Sequence, residues 1–328
     1  MSALGCSGLA TIVVKALDQT SFDHLAKVRS ATGRLPFIEP VLRIVAHLPL
    51  KKRPVVNTEE DTRPLALEEE LAKLIATLLL ECTPSWVEDH QTAYQPGRGI
   101  MEVRRGVTML LEHSREQGHD VVVYKRDKKN AFGNRDLNGV AFLLSEEGVP
   151  LSAARWYQKY MKQVRVVSIT AAGTTRAWAF AIGVFQGSPL APRIYLYQQQ
   201  RFSAAQGPLE TGIPPIRVDD ITANQAPERY SDDEVVLAGG VEPLLKILRT
   251  QEHHAPRRVV YVPEKEEYLI LRHTSSGQLR LEALGAPKYK VAKRRTIPEG
   301  ITVLGAQVLP QAAEMARRSA LLAAAESW

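Results

Sequence analysis

The chain has 328 residues, enough for two average domains or one large one, and its 45% apolar and 24% charged content is ordinary for a folded globular protein. Its 42 Lys and Arg against 36 Asp and Glu leave a net charge of +6 and a pI near 9.2, a balance that favours phosphate backbones. Cys6 and Cys82 exclude a disulfide framework or a zinc site built from each other, and no apolar run approaches the ~18–20 residues that a membrane span needs.

Met1 to Leu17 is mildly apolar, lacks a basic leading segment and runs into Lys15, Asp18 and Asp23. It reads as mature protein rather than a signal peptide, so the expected setting is intracellular and reducing, with no membrane. Residues 64–82 carry helical periodicity stopped by Pro84, with Glu68-Glu69-Glu70 expected on the exposed face. Residues 100–117 read as a second helix, and Val121-Val122-Val123-Tyr124 as a buried strand leading to Asp127. Leu137 to Glu147 predicts a helix that ends at Gly148 with Pro150 beyond, and Ser152 to Gln163 another with Ser152 as cap.

The period then changes. Val164 to Thr170 alternates as a strand, Ala171-Ala172-Gly173 supplies a turn, and Thr174 to Ala181 predicts a returning strand. Ser188-Pro189 predicts a helix start, Ser as cap and Pro at the first position. Residues 234–239 and 257–272 read as strands, and Ala312 to Trp328 as an Ala-rich helix. Without repeats or strict βαβ alternation, the expected class is α+β in one multi-lobed unit.

Three segments carry chemistry. Tyr230-Ser231-Asp232-Asp233 precedes an apolar strand; on a hairpin, its turn presents carboxylates at a sheet edge, hard oxygen donors that suit Mg²⁺. Taken alone, such a pair is more often a solvated turn. Asp127, at the end of a buried strand in Asp127-Lys128-Lys129-Asn130-Ala131-Phe132, is placed to complete a three-carboxylate site for two metal ions, or is an ordinary strand-end acid. Gly183-Val184-Phe185-Gln186-Gly187-Ser188-Pro189-Leu190-Ala191-Pro192 lets backbone approach a ligand closely, or is simply a Gly-rich helix cap.

In this order the three segments resemble the reverse transcriptases of non-LTR retrotransposons and group II introns, which carry Asp-x-x-x-Ala-Phe/Tyr, Gly-x-x-Gln-Gly-Ser-x-Leu-Ser/Ala-Pro and Tyr-x-Asp-Asp. The resemblance extends to Leu48-Pro49-Leu50-Lys51-Lys52, Thr62-Arg63-Pro64-Leu65, Gln91-Thr92-Ala93-Tyr94-Gln95-Pro96-Gly97-Arg98-Gly99, Pro263-Glu264-Lys265 and Val303-Leu304-Gly305, about residues 40–310. It implies a right-hand polymerase with fingers and an antiparallel palm sheet flanked by helices. Residues 1–39 would be an extension, and 311–328 a C-terminal helix opening a thumb that is mostly missing. It implies an RNA-directed DNA polymerase, a nucleotidyltransferase using two Mg²⁺ ions (Mn²⁺ in their place), an RNA template, a DNA or RNA primer and deoxynucleoside triphosphates.

By the same resemblance Asp127, Asp232 and Asp233 are the metal-binding catalytic acids, Asp232 a firmer ligand than Asp233. Phe132 matches the steric gate against a 2′-hydroxyl, Gln186 and Gly187 the positions near the incoming nucleotide, and Arg63 the arginine that forks onto the triphosphate. Lys51 or Lys52 is a second cation there, and Lys265 matches a lysine near the leaving pyrophosphate. The chain departs from the pattern at Lys128 and Lys129, at Gly133 in place of an acid, at Phe185 in place of proline, at Glu234 in place of an apolar residue and at Ala93 in place of glycine. Two other readings follow: a divergent or truncated copy that binds RNA without catalysis, or an RNA-templated RNA polymerase, which Phe132 opposes. Asp219-Asp220 lacks the flanking aromatic and strand and reads as loop, and His253-His254 has no metal-ligand spacing.

Overall fold

In the computed structural model the described residues are 20, 43–51, 62–84, 90–180, 182–214, 216–218, 221–223, 227–255, 259–271, 293–295, 301–303 and 306–308. They fall into two compact units, one from residues 1–85 and 130–198, the other from residues 86–129 and 199–328. Both mix helices with sheets.

The first unit is built on a sheet in which β1 (Ile44–Lys51) pairs antiparallel with β2 (Thr62–Leu67) and parallel with β4 (Arg165–Thr170). Two short strands, Gly173–Thr174 and Trp178–Ala179, return antiparallel along β4, so the expected hairpin forms with its second arm interrupted. The single helix expected over 64–82 is instead strand β2 followed by helix α1 (Glu70–Glu81). The ladder to β1 explains the difference: Leu65, Ala66 and Leu67 pair with Leu48, His47 and Ala46, a tertiary pairing that overrides the local helical spacing. Helix α1 buries Ala72, Ile75, Ala76 and Leu79, one stripe at helical spacing.

Glu68, Glu69 and Glu70, expected on an exposed helix face, are all buried at the β2–α1 junction. Glu68 accepts a hydrogen bond from Tyr160 at 2.9 Å, and Glu70 pairs with Lys73 at 2.9 Å in the first turn, where acids oppose the helix dipole favourably. Helices α3 (Val140–Glu146) and α4 (Leu151–Gln163) pack on each other. Pro150, not Ser152, occupies the cap position of α4, and no side chain caps it. Helix α5 (Ala191–Gln206) begins after Ser188-Pro189 rather than at it, because the Ser188 hydroxyl is engaged by Tyr157 at 3.2 Å. The division between the units falls inside α5, between Gln198 and Gln199.

The second unit centres on β3 (Val121–Arg126). Its sheet runs Lys293–Arg295, Glu267–Leu271, β3, β10 (Asp233–Ala238) and β9 (Glu228–Tyr230), all antiparallel neighbours except the first pair. β3 is covered on both faces, hence its unbroken apolar run. Val121 and Val123 join a core with Val103, Val107 and Leu110 of α2 (Ile100–Glu116). Val122 and Tyr124 join another with Leu244, Leu245 and Leu248 of α6 (Val241–His254). Asp219-Asp220, Leu304-Gly305, Lys52, the expected C-terminal helix and the 1–39 extension (position 20 apart) lie outside the described residues. Among the described residues, no helix is long and apolar enough to cross a membrane.

Candidate active site

Four of the sequence-predicted residues lie at one end of the second unit's sheet. β10 runs antiparallel to β3 with Glu234 opposite Arg126, so one step further the register sets Asp233 beside Asp127. Between the paired Tyr230 and Asp233 the chain turns in two residues, Ser231 and Asp232, with Ser231 at φ 58 in the left-handed region. The hairpin expected at Tyr230–Asp233 is therefore formed. On the other side of β3, Glu267 pairs with Lys125, and the same count brings Lys265 opposite Asp127. Lys265 Nζ donates to Asp127 Oδ2 at 2.5 Å, and Lys125 Nζ lies 3.9 Å from Asp233 Oδ1.

The three acids share one field. Burial raises the Asp232 carboxyl, and the Asp127 charge raises it further. Asp233 is pushed up to about 6 by burial first, with Asp232 and Asp127 adding to the effect and Lys125 and Lys265 opposing it. Like charges held together in this way favour a counter-cation. In chemical kind the donor set fits a hard divalent cation. As they stand, however, two of the carboxylates face ammonium groups, and no three His, Cys, Asp or Glu side chains among the described residues converge closely enough to hold a metal.

Beneath this edge lies a buried charged network that sequence reasoning did not find. Glu234, fully buried, accepts from Lys128 Nζ at 3.2 Å, from Arg229 Nε at 3.2 Å and from Gln251 Nε2 at 2.7 Å. Gln251 in turn accepts from Arg126, which also reaches Glu266 at 3.3 Å and lies 3.4 Å from the centre of the Tyr261 ring. Lys128 and Arg229 extend the network to Gln199 and Ser203 of α5. Burial alone would raise Glu234; Lys128, Arg229 and Arg126 outweigh it and hold the carboxyl at about 2. Lys128 and Glu234, each an anomaly by motif, are thus an ion pair. The negative charge expected from Glu234 near the site is neutralised in the core.

Gln91 is a second residue whose place no spacing signalled. Its buried amide holds Ser231: Oε1 accepts the Ser231 N–H at 2.9 Å, and Nε2 donates to the Ser231 carbonyl at 3.2 Å.

The remaining predicted residues belong to the first unit. Arg63 is exposed on β2. Phe132, half-buried, stacks on Tyr195 with ring centres 5.0 Å apart. The Gln186 carbonyl accepts from Ala66 N at 2.8 Å, tying its loop to β2. Gly187 has φ 114, and a Cβ there would lie 2.7 Å from the Ala66 carbonyl oxygen, so only glycine fits. A Cβ on Gly183 would meet the Gly133 carbonyl oxygen at 2.5 Å, so glycine is required at 183, whereas one on Gly133 would meet the Asn130 side-chain amide, which can turn aside. Phe185 is buried against Phe180 at 4.3 Å, and Ala93 is fully buried.

No family model matches this chain, and no curated protein does. Among solved structures it is similar to apo telomerase from Candida tropicalis truncated from its C-terminal domain, at TM-score 0.44 and 10% identity, over 77% of this chain and 55% of that one. The chain thus spans little more than half of that structure's length. A superposition this loose says nothing of activity or substrate.

Proposed function

We propose that the chain is the RNA-directed DNA polymerase domain of a retroelement, with palm and fingers, which adds deoxynucleotides to a primer 3′-hydroxyl on an RNA template. One observation carries the reading: acids from two motifs far apart in sequence, Asp127 and Asp232-Asp233, stand at neighbouring strand ends, and the Asp127 charge helps to raise the carboxyls of Asp232 and Asp233. In this reading Asp127, Asp232 and Asp233 hold Mg²⁺ or Mn²⁺, whose charge would activate the primer hydroxyl and stabilise the leaving oxygen. Lys265, now on Asp127, supplies positive charge where pyrophosphate departs. Arg63 grips the triphosphate, Gln186 and Gly187 line the nucleotide, and Phe132 excludes the 2′-hydroxyl. Positioning and charge neutralisation then provide most of the rate.

Primer extension tests this. Purified protein with poly(rA)/oligo(dT), dTTP and Mg²⁺ should incorporate nucleotide, and Asp232→Asn should abolish incorporation. Incorporation that survives the substitution sinks the catalytic assignment.

A second reading, a non-catalytic retroelement-derived or maturase-like RNA-binding protein, is favoured by the two lysines standing on the carboxylates and by the absence of a converged triad among the described residues. Salt-sensitive RNA binding without any incorporation would select it.

A further inference from the structure

The turn that carries Asp232 and Asp233 has an unfavourable conformation at its first residue. Ser231 sits at φ 58, where a side chain is crowded, and serine has none of the freedom of glycine. Ser231 is also buried, so its N–H and C=O need partners within the protein. Both are met by one side chain. Gln91 Oε1 accepts the Ser231 N–H at 2.9 Å while Gln91 Nε2 donates to the Ser231 carbonyl at 3.2 Å. A carboxamide offers an acceptor and a donor side by side at this reach without carrying a titratable group into the core. The opposite amide orientation would set NH₂ against N–H and oxygen against oxygen, so the bonding fixes the assignment.

Gln91 is itself held rigidly. Its Oε1 also accepts from Ala93 N at 3.1 Å, and Gln95 Nε2 donates to its carbonyl. The segment around it forms an extra edge along β9: Gln91 bridges Arg229, the Arg229 N–H donates to the His90 carbonyl at 2.8 Å, and Thr92 N–H donates to the Arg229 carbonyl at 3.0 Å. Tyr94 OH adds a contact to Ser231 Oγ at 3.4 Å. The residues from His90 to Gln95 therefore form a brace along β9 from which Gln91 makes a two-point grip on the Ser231 backbone.

We propose that Gln91 is a positioning residue: by gripping both polar groups of Ser231 it locks the turn in the conformation that aims the Asp232 and Asp233 carboxylates, on the polymerase reading above. It acts through Ser231 and touches no reacting atom. The grip is made on the backbone of residue 231, so it depends on the carboxamide at 91 rather than on the Ser231 hydroxyl.

The test uses the full chain with Gln91→Met and Gln91→Leu, each of which removes both hydrogen-bonding atoms while leaving an apolar side chain of similar size. Amide hydrogen exchange at Ser231 should speed roughly tenfold in both variants, since one well-placed bond is of that order. Amides of β3 should be unchanged. Mn²⁺ binding, followed by water proton relaxation with the metal alone, should weaken roughly tenfold, as for other residues that orient ligands from behind. Unchanged exchange at Ser231, or loss of protection throughout β3 in both variants, overturns the positioning role; so does equal Mn²⁺ affinity in variants and wild type. A wild-type chain that binds no Mn²⁺ while the selective exchange difference persists overturns the polymerase reading and upholds the grip on the turn.

Discussion

Lys128 and Glu234 each break the pattern of the motif beside them, and each is explained by the other. A lysine buried to 3% and a glutamate buried completely would be prohibitive alone; at 3.2 Å, with Arg229 and Gln251 completing the glutamate, they become a fixed internal pair. The pair is unevenly balanced, with Lys128 and Arg229 both on one carboxylate, so its loss would strand two cations. Glu234→Gln should therefore cost about 3–5 kcal/mol, read as a lower urea midpoint for the whole chain. A loss below about 1 kcal/mol would mean that water reaches the network. The acid at 234 also shows how one alternation of strand β10 separates roles: Asp233 points to the open edge and Glu234 into the core.

At the scale of elements, the β2–α1 junction contains an acid, Glu68, whose carboxyl burial pushes above the ordinary carboxylate range. Burial is the first cause that raises the Glu68 carboxyl, only partly offset by Ser188, Tyr160 and Lys73. Its folded pKa lies above its unfolded one, so the native state holds a proton that the unfolded chain has released. Stability from this group is therefore full below the unfolded pKa and is lost as pH rises through the folded value. Glu68→Gln should flatten the fall in urea midpoint as pH rises above the ordinary carboxylate range, and an unchanged slope would refute the assignment. The junction was also where the sequence misled most. Leu65, Leu67, Leu71 and Ile75 allow a helix, and it is the pairing of β2 with the distant β1 that makes residues 62–67 a strand, a contact that apolar periodicity does not register. Strands β3 and β10 were legible because both faces are buried and their apolar runs are continuous. Asp127 and the Asp232-Asp233 turn were legible from their motifs, and Gln91 only as part of a resembling loop, whereas its grip on Ser231 and the Lys128–Glu234 pair arise from contacts between distant segments that carry no local signal.

Across the whole molecule, the basic charge of +6 suits a nucleic-acid partner, and the acids at the strand ends stand out against it. Within the second unit those acids are opposed from the side by Lys125 and Lys265 and supported from below by the Glu234 network. On the polymerase reading a divalent cation displaces the lysines, whereas a solvated turn would keep them as ordinary surface ion pairs. The most direct test is Mn²⁺ titration followed by electron paramagnetic resonance on the wild-type chain and on Asp232→Asn. The account predicts that the wild type takes up Mn²⁺ and that Asp232→Asn does not, with β3 exchange protection equal in both. Mn²⁺ uptake unaffected by Asp232→Asn would contradict it.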